Sequence, residues 1–265
     1  MSLVSGNVLV TGATGGIGQV IARSFASRGA RVLLTGRRLN VLEPLASEIS
    51  ARAVACDLSR REDVERLIAE ALEAKIEVLI ANAGLPASGV LTELTQDEID
   101  RMLEINLRAP IALARALAPA MIERRRGHMV FISSLSGKVT SSASSIYSAT
   151  KFGLRGFALA SREDLRRYGV GVSVVLPGFI REAGIFADAH VELPRGVGTR
   201  SPEDVASGVI SAIEQNRAEV EIAPPFLRLG AGFAALAPQL AATVSRRLGG
   251  ERVAQDLAAG QRDKR

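Results

Sequence analysis

From Asn7 to Ile222, short runs rich in Val, Ile and Leu alternate with longer stretches whose apolar positions recur every three or four residues. The short runs predict strands at Asn7–Thr11, Arg31–Thr35, Ala53–Ala55, Val78–Ala81, Met129–Ser133, Gly171–Leu176 and Glu219–Ile222. The longer stretches predict helices between them. Such alternation specifies a parallel sheet, because parallel neighbours need a crossover long enough to hold a helix. The strands are apolar throughout rather than at every second position, as expected where helices cover both faces. One helix start is explicit, with Ser201 as N-cap, Pro202 at the first helical position, and Glu203 and Asp204 in the first turn. The pattern predicts an α/β fold over residues 1–225, a doubly wound parallel sheet of seven strands with helices on both faces.

Beyond Ile222, apolar residues recur at helical steps at Leu229, Phe233, Leu236, Leu240, Val244 and Leu248. We expect residues 226–265 to form an amphipathic helical extension, kinked or divided at Pro238 and frayed over Gly260–Arg265. Its uncharged core, Leu229–Ser245, is short and interrupted by Gly, Pro and Gln, a poor membrane span. Three uses remain for the stripe: covering a pocket, packing on a second subunit, or lying in a membrane interface. The first two together are the preferred expectation.

Composition narrows the class. With 47% hydrophobic and 23% charged residues the chain is neither disordered nor of low complexity. The single cysteine, Cys56, excludes an intramolecular disulfide framework and fits a reducing compartment, so a cytoplasmic location is expected. It reads as a buried filler rather than a nucleophile. That thiol with His128 and His190 cannot assemble a His/Cys zinc site, and no metal is expected. No charged side chain precedes Arg23, but the segment is glycine-rich and lacks a basic n-region, so it reads as a buried strand and turn rather than a leader. Of the net charge of +5, residues from Phe226 onward carry +4, which leaves too little elsewhere for a nucleic-acid footprint. The run Arg124-Arg125-Arg126 reads as the solvated, dipole-compensating end of a helix.

The first strand runs into Thr11-Gly12-Ala13-Thr14-Gly15-Gly16-Ile17-Gly18 and then a helix. Such a turn uses glycine for sharp reversal, for close backbone approach to a pyrophosphate, and for tight helix–strand packing. The helix N-terminus offers unpaired N–H groups to phosphates. A site for NAD usually carries a carboxylate at the end of the next strand to hold the ribose 2′-OH. This chain has Thr35-Gly36-Arg37-Arg38 there, and guanidiniums suit a 2′-phosphate. NADP is therefore the expected cofactor, with one of the two arginines facing solvent.

Tyr147 and Lys151 stand four residues apart in a helical stretch, which puts phenol and ammonium on one face. A neighbouring cation favours phenolate, so Lys151 is expected to lower the tyrosine pKa and make it a workable acid/base. Ser133 and Ser134 end the strand before it, at the edge where open α/β sheets bind ligands. Asn82-Ala83-Gly84 and Pro177-Gly178 end two other strands at the same edge.

In these residues the chain resembles the short-chain dehydrogenase/reductase family, in its compact single-domain branch, over about Asn7 to Ile222. The family's glycine motif matches Thr11, Gly12, Gly16 and Gly18, and its Asn-Ala-Gly motif matches Asn82-Ala83-Gly84. The family serine maps to Ser134, and its Tyr-x-x-x-Lys to Tyr147 and Lys151. Its adenine-contacting acid corresponds to Asp57, followed by Leu58, and its helix asparagine to Asn106. The resemblance implies a Rossmann fold and hydride transfer between a nicotinamide and a carbonyl carbon. In it Tyr147 exchanges the proton, Ser134 orients the oxygen, Lys151 holds the ribose and Asn106 positions a water. The other reading of Asn106 is an amide bonded to backbone. Cofactor contacts are expected from Gly12, Thr14, Gly16, Ile17, Gly18, Arg37, Arg38, Asp57, Leu58, Asn82, Ala83, Gly84, Tyr147, Lys151, Pro177, Gly178 and Ile180.

Two departures stand out. Glu182 occupies a place where the family often has Thr, and Ala81 one where many relatives have a second Asn, which argues mildly against an acyl-carrier-protein ketoreductase. The segment Phe179–Thr199 is the expected substrate loop, and its Ile180, Ile185, Phe186, Val191 and Leu193 lean towards an apolar carbonyl or alcohol substrate. A homodimer or homotetramer is expected, without nucleic acid, and peripheral membrane contact through the C-terminal helix stays open. The alternatives to an enzyme are a sensor that binds NADP(H) without turnover and a membrane-associated interaction protein.

Overall fold

The computed structural model describes residues 2–86, 89–187, 189, 191, 193, 197–247 and 250–261. Of the features expected from sequence, His190, Leu248 and residues 262–265 lie outside the described residues. The strands are β1 Asn7–Thr11, β2 Arg31–Gly36, β3 Arg52–Ala55, β4 Val78–Ala81, β5 Gly127–Ile132, β6 Val170–Pro177 and β7 Glu219–Ile222. The helices are α1 Gly16–Ala26, α2 Leu39–Glu48, α3 Arg61–Glu73, α4 Gln96–Leu103, α5 Ala109–Glu123, α6 Ser145–Arg166, α7 Gly184–Ala187, α8 Pro202–Glu214, α9 Pro225–Leu236, α10 Pro238–Arg247 and α11 Gly250–Gly260. All expected strands form. The ladder carries β6 on to Pro177, opposite Ile222, and starts β5 at Gly127, opposite Val170. Ser133, expected as the last residue of β5, instead turns its hydroxyl onto the Lys151 carbonyl at 2.9 Å.

All neighbours are parallel, in the order β3-β2-β1-β4-β5-β6-β7. The chain builds outward one way from β1 and then returns to build the other way from β4. A crevice therefore opens between the C-terminal ends of β1 and β4, the switch point where such sheets bind ligands. Side chains alternate along each strand. Leu9, Leu33, Leu79, Met129 and Phe131 face α3, α5 and α6, and Phe131 meets Phe157 edge-on at 5.5 Å. Val8, Val10, Leu34, Ile80 and Val130 face α1, α2 and α8.

Local signals explain the helix ends. Ser201 accepts from the Asp204 N–H at 3.2 Å and Asp204 accepts from the Ser201 N–H at 2.9 Å, a reciprocal cap that fixes the start of α8. Between α4 and α5 the backbone widens into a π-helical turn at Glu104–Arg108. The continuous helical run Gln96–Glu123 is long and apolar enough to cross a membrane, but Met102, Leu113, Leu117 and Met121 are buried in the core. The arginine run after α5 is more than a solvated end. Arg124 donates to the Ile76 carbonyl at 2.9 Å and Arg126 pairs with Glu77 at 2.5 Å, so two of the three tie the helix end to the start of β4. Pro238 divides the C-terminal extension as expected, standing at the first position of α10 where its missing N–H costs nothing.

His128 on β5 is buried, and burial, helped by Arg162, pulls its pKa down to about 4. Ser173 Oγ donates to the Arg217 carbonyl at 2.5 Å and so accepts from His128 Nε2 at 2.8 Å. The folded imidazole stays neutral between about pH 6.5 and 4 while the unfolded one binds a proton. Stability is thus intact above pH 6.5 and falls by ~3 kcal/mol as the pH drops to about 4. Urea unfolding at pH 7, 5 and 4 checks this, and His128→Gln is expected to show a flatter profile.

Candidate active site

At the switch point the chain makes a turn whose first glycine tolerates no side chain. Gly12 has φ +66°, and a Cβ on it would stand 2.7 Å from the Ala83 Cα. The end of β4 is clamped against this turn by hydrogen bonds in both directions. Asn82 Nδ2 donates to the Thr11 and Gly12 carbonyls at 3.0 and 3.3 Å. Thr11 Oγ1 accepts from the N–H groups of Asn82 and Ala83, each at 3.1 Å. Helix α1 then starts at Gly16 behind a glycine N-cap with no side-chain cap, which leaves its first-turn N–H groups to an anion. Thr14 and Ile17 line the same cavity.

At the end of β2, Arg37 and Arg38 are both exposed, and Arg38 donates to the Thr14 carbonyl at 2.9 Å, which bends it over the glycine turn. Asp57 follows β3 and accepts from the Ser59 N–H and hydroxyl at 3.0 and 2.7 Å. Burial would raise its pKa, but those bonds and the Arg37 charge outweigh it, so the carboxyl stays below its ordinary range. Leu58 is buried beside it. Burial, reinforced by Asp63, pushes the Cys56 thiol up to about 11, which keeps it protonated and unreactive.

On the other side of the crevice, β5 and α6 bring together three of the expected catalytic groups. Ser134, just past β5, caps a short 3-10 turn by accepting from the Ser136 N–H at 3.1 Å. Tyr147 and Lys151 share one face of α6, with Lys151 Nζ 5.6 Å from the centre of the phenol ring. Lys151 is buried, donates to the Ile132 carbonyl at 3.1 Å, and is pulled down to about 8 by that burial. Burial pushes the Tyr147 phenol up to about 12, opposed by a hydrogen bond with the Ser134 hydroxyl. The net shift of the phenol within the chain is therefore upward, with burial as its largest cause.

Asn106 sits in the π-helical turn and is almost wholly buried. Its Oδ1 accepts from the Leu85 N–H at 2.7 Å and its Nδ2 donates to the Leu85 carbonyl at 3.0 Å. The amide is bonded to backbone, the second of its two readings, and it pins the segment after β4 beside Lys151. A Cβ on Gly84 would lie 3.5 Å from both Asn106 Oδ1 and Lys151 Nζ.

β6 ends at Pro177, Gly178 after it donates to the Ile222 carbonyl at 3.0 Å, and Ile180 is buried. Glu182 has φ +67°, a left-handed conformation that is costly outside glycine, and its carboxylate pairs with Arg181 at 3.0 Å. Ile180, Ile185, Phe186 and Leu193 line the cavity, whereas Val191 does not.

The cavity measures about 1570 Å³. That exceeds the ~300–1,000 Å³ of an ordinary single-ligand pocket and leaves room for a dinucleotide and a second molecule. It runs from Arg37 past Tyr147 to the small residues of α9–α11, such as Gly230, Ala234 and Ala241. One group the sequence reading passed over is the charge network behind it. Lys138 pairs with Glu219 and Glu221, Arg155 pairs with Glu219 at 2.5 Å, and Arg228 reaches Glu221 at 3.3 Å. It ties the turn after Ser134, helix α6 and helix α9 to β7. The only trace in sequence is the alternation Glu219-Val220-Glu221 on an otherwise apolar strand.

A family model described as short chain dehydrogenase matches residues 6–190. The chain is similar to ketoacyl reductase HetN of Nostoc, 34% identical over 226 residues that cover 83% of this chain and 79% of that one. It is also similar to the solved short-chain dehydrogenase from Sphingobium yanoikuyae in complex with NADPH, with TM-score 0.78 and 29% identity, covering 90% of this chain and 95% of that one. A metagenomic short-chain oxidoreductase in complex with NADP gives TM-score 0.72 and 36% identity, covering 84% and 99%. With its switch-point glycine turn and its family match over most of its length, the chain belongs to the short-chain dehydrogenases.

Proposed function

We propose that this protein is an NADP-dependent oxidoreductase that moves hydride between nicotinamide and the carbonyl carbon of an apolar ketone or aldehyde, in the direction of reduction. The observation that carries this reading is the Tyr147 phenol, next to Ser134 and with the Lys151 ammonium 5.6 Å from its ring centre, in the cavity shared with the Gly12–Gly18 turn. The dinucleotide fits that turn because the first-turn N–H groups of α1, behind a glycine N-cap with no side-chain cap, are left to an anion. Gly12, Gly16 and Gly18, with Thr14 and Ile17, would hold the pyrophosphate, and Asp57 and Leu58 the adenine. Asn82, Ala83, Gly84, Pro177, Gly178 and Ile180 would flank the nicotinamide half, with Lys151 on its ribose. Arg37 and Arg38, with no carboxylate beside them on β2, would take the 2′-phosphate. Two NADP(H)-bound relatives support the same choice.

Bound NADPH supplies the hydride. The chain's own groups handle the oxygen. Ser134 donates a hydrogen bond to the carbonyl oxygen, and Tyr147 passes its proton to that oxygen as negative charge develops there. A phenol whose pKa stands near 12 keeps its proton at neutral pH, which is the form that reduction needs. Lys151, still mostly an ammonium at pH 7, stabilises the phenolate left behind. Asn106 is a positioning residue that acts through Leu85. Ile185, Phe186, Phe226 and Phe233 line the substrate end and favour an apolar partner.

The test follows nicotinamide absorbance with ketones and aldehydes from aliphatic to polycyclic, NADPH and NADH in parallel. Ketoacyl compounds belong in the panel because of the HetN relative, despite Ala81. Turnover with NADPH on one structural class is the expected result. Arg37→Ser with Arg38→Ser is expected to raise the KM for NADPH about tenfold to a hundredfold and leave that for NADH alone. Cofactor binding without turnover across the panel replaces the enzyme reading by a sensor.

A further inference from the structure

Helices α9 and α10 distribute their residues the opposite way from a lid on a water-soluble protein. Their small residues, Gly230, Ala231, Ala234, Ala241 and Ala242, line the cavity. Of their large ones, Leu229 is 76% exposed and Leu236 87%, with Leu240 exposed beside them, while Phe226, Phe233 and Val244 stand at the cavity rim and are exposed as well. The apolar mass that would seal a pocket is thus presented to the surroundings. Water is a poor environment for such a face, and contiguous patches of this kind mark an interaction surface.

Charge decides what covers it. Between Glu221 and Glu251 the sequence holds Arg228, Arg246 and Arg247 and no carboxylate. Arg228 is paired with Glu221, but Arg246 and Arg247, in the last turn of α10, have no carboxylate partner among the described residues. A second copy of the chain docked by the same two helices would place Arg246 and Arg247 against helices that hold no carboxylate of their own. An anionic lipid surface instead offers both things the helices lack, an apolar layer for the leucines and negative headgroups for the arginines.

We infer that α9 and α10 dock this protein on an anionic membrane surface, with their leucines in the acyl layer and Arg246 and Arg247 among the headgroups. The cavity lies directly behind the docked helices, so a lipophilic carbonyl compound would enter from the bilayer. That last step rests on the proposed function; the docking itself does not. Of the two uses preferred from sequence, pocket cover stands, since both helices line the cavity, and the membrane takes the place proposed for a second subunit.

The full chain is floated with vesicles of phosphatidylcholine containing phosphatidylglycerol, and with phosphatidylcholine alone. We expect flotation with the anionic vesicles, at least about tenfold weaker without the anionic lipid or in high salt. Leu236→Glu with Leu240→Glu should abolish flotation while turnover of a water-soluble ketone and the circular dichroism stay as in the wild type. Should that pair fail to fold, Arg246→Ser with Arg247→Ser decides, through about tenfold weaker flotation at unchanged turnover. Absence of flotation, or flotation indifferent to both pairs, overturns the inference. So does a sedimenting dimer that Leu236→Glu with Leu240→Glu converts to monomer without any vesicle binding. Flotation by a protein that turns over no ketone leaves the docking standing and sinks the proposed function, so the two failures are distinct.

Discussion

Tyr147→Phe is expected to lower kcat about a thousandfold while NADPH still binds with its wild-type affinity. The substitution removes one oxygen and leaves the ring, which keeps its place on α6 above Lys151. What disappears is the proton donor and the partner of the Ser134 hydroxyl. Positioned general acids contribute ~10²–10⁴ in rate, and no second acid takes the same position: Ser134 is a far weaker acid, and the Lys151 ammonium is turned to the Ile132 carbonyl. The loss should fall on kcat rather than on KM, because the proton moves only as the transition state is reached. Single-turnover kinetics, with NADPH affinity measured separately by fluorescence titration, distinguish the two. Retention of a tenth or more of the activity would mean that Tyr147 is not the acid. Loss of cofactor affinity would mean that the phenol serves the binding site instead.

Lys151→Met is expected to separate stability from turnover. Burial pulls this ammonium down to about 8, whereas an unfolded lysine titrates near ~10.4. Between those two values the unfolded chain holds a proton that the folded one has released. Stability therefore carries the full penalty below pH 8 and recovers as pH rises towards about 10.5. The span corresponds to ~3 kcal/mol at 1.36 kcal/mol per unit. Methionine fills nearly the same volume without the charge. The unfolding free energy of the wild type minus that of the variant should rise by ~3 kcal/mol from pH 7.5 to 10.5, read by urea denaturation at both ends. A difference that stays flat would show that the buried ammonium costs nothing. Turnover at pH 7 should meanwhile fall by at least ~10², because the phenolate formed at Tyr147 loses the charge beneath it. The site is thus held at the expense of stability, as catalytic lysines often are.

Much of the fold was legible because its signals are local. Short runs rich in Val, Ile and Leu marked most strands, and Ser201-Pro202 with acidic Glu203 and Asp204 marked the start of α8, where the structure adds the reciprocal cap. The glycine turn was legible for the same reason. Gly12 needs a positive φ and a clear space whatever lies beyond it, and a spacing of glycines after a strand records that need. Strand ends were less clear, since they depend on a neighbour's length. Pro177 joins β6 because Ile222 lies opposite, which no window around Pro177 contains.

The chemistry divides along the same line. Sequence by itself determined the inventory and its spacing: Ser134 after a strand, Tyr147 and Lys151 one helical turn apart, arginines instead of a carboxylate after β2. Spacing along a helix is fixed by the backbone period, so these relations survive any tertiary context. Only the tertiary structure decided what each group is worth. It turned the Asn106 amide onto Leu85, and it set the Tyr147 phenol high and the Lys151 ammonium low. It also closed the Lys138–Glu219–Arg155 network across three elements and left large side chains of α9 and α10 exposed. Each of these depends on desolvation or on contacts between residues far apart in the chain. Both are properties of the packed interior, and a sequence read in windows holds neither.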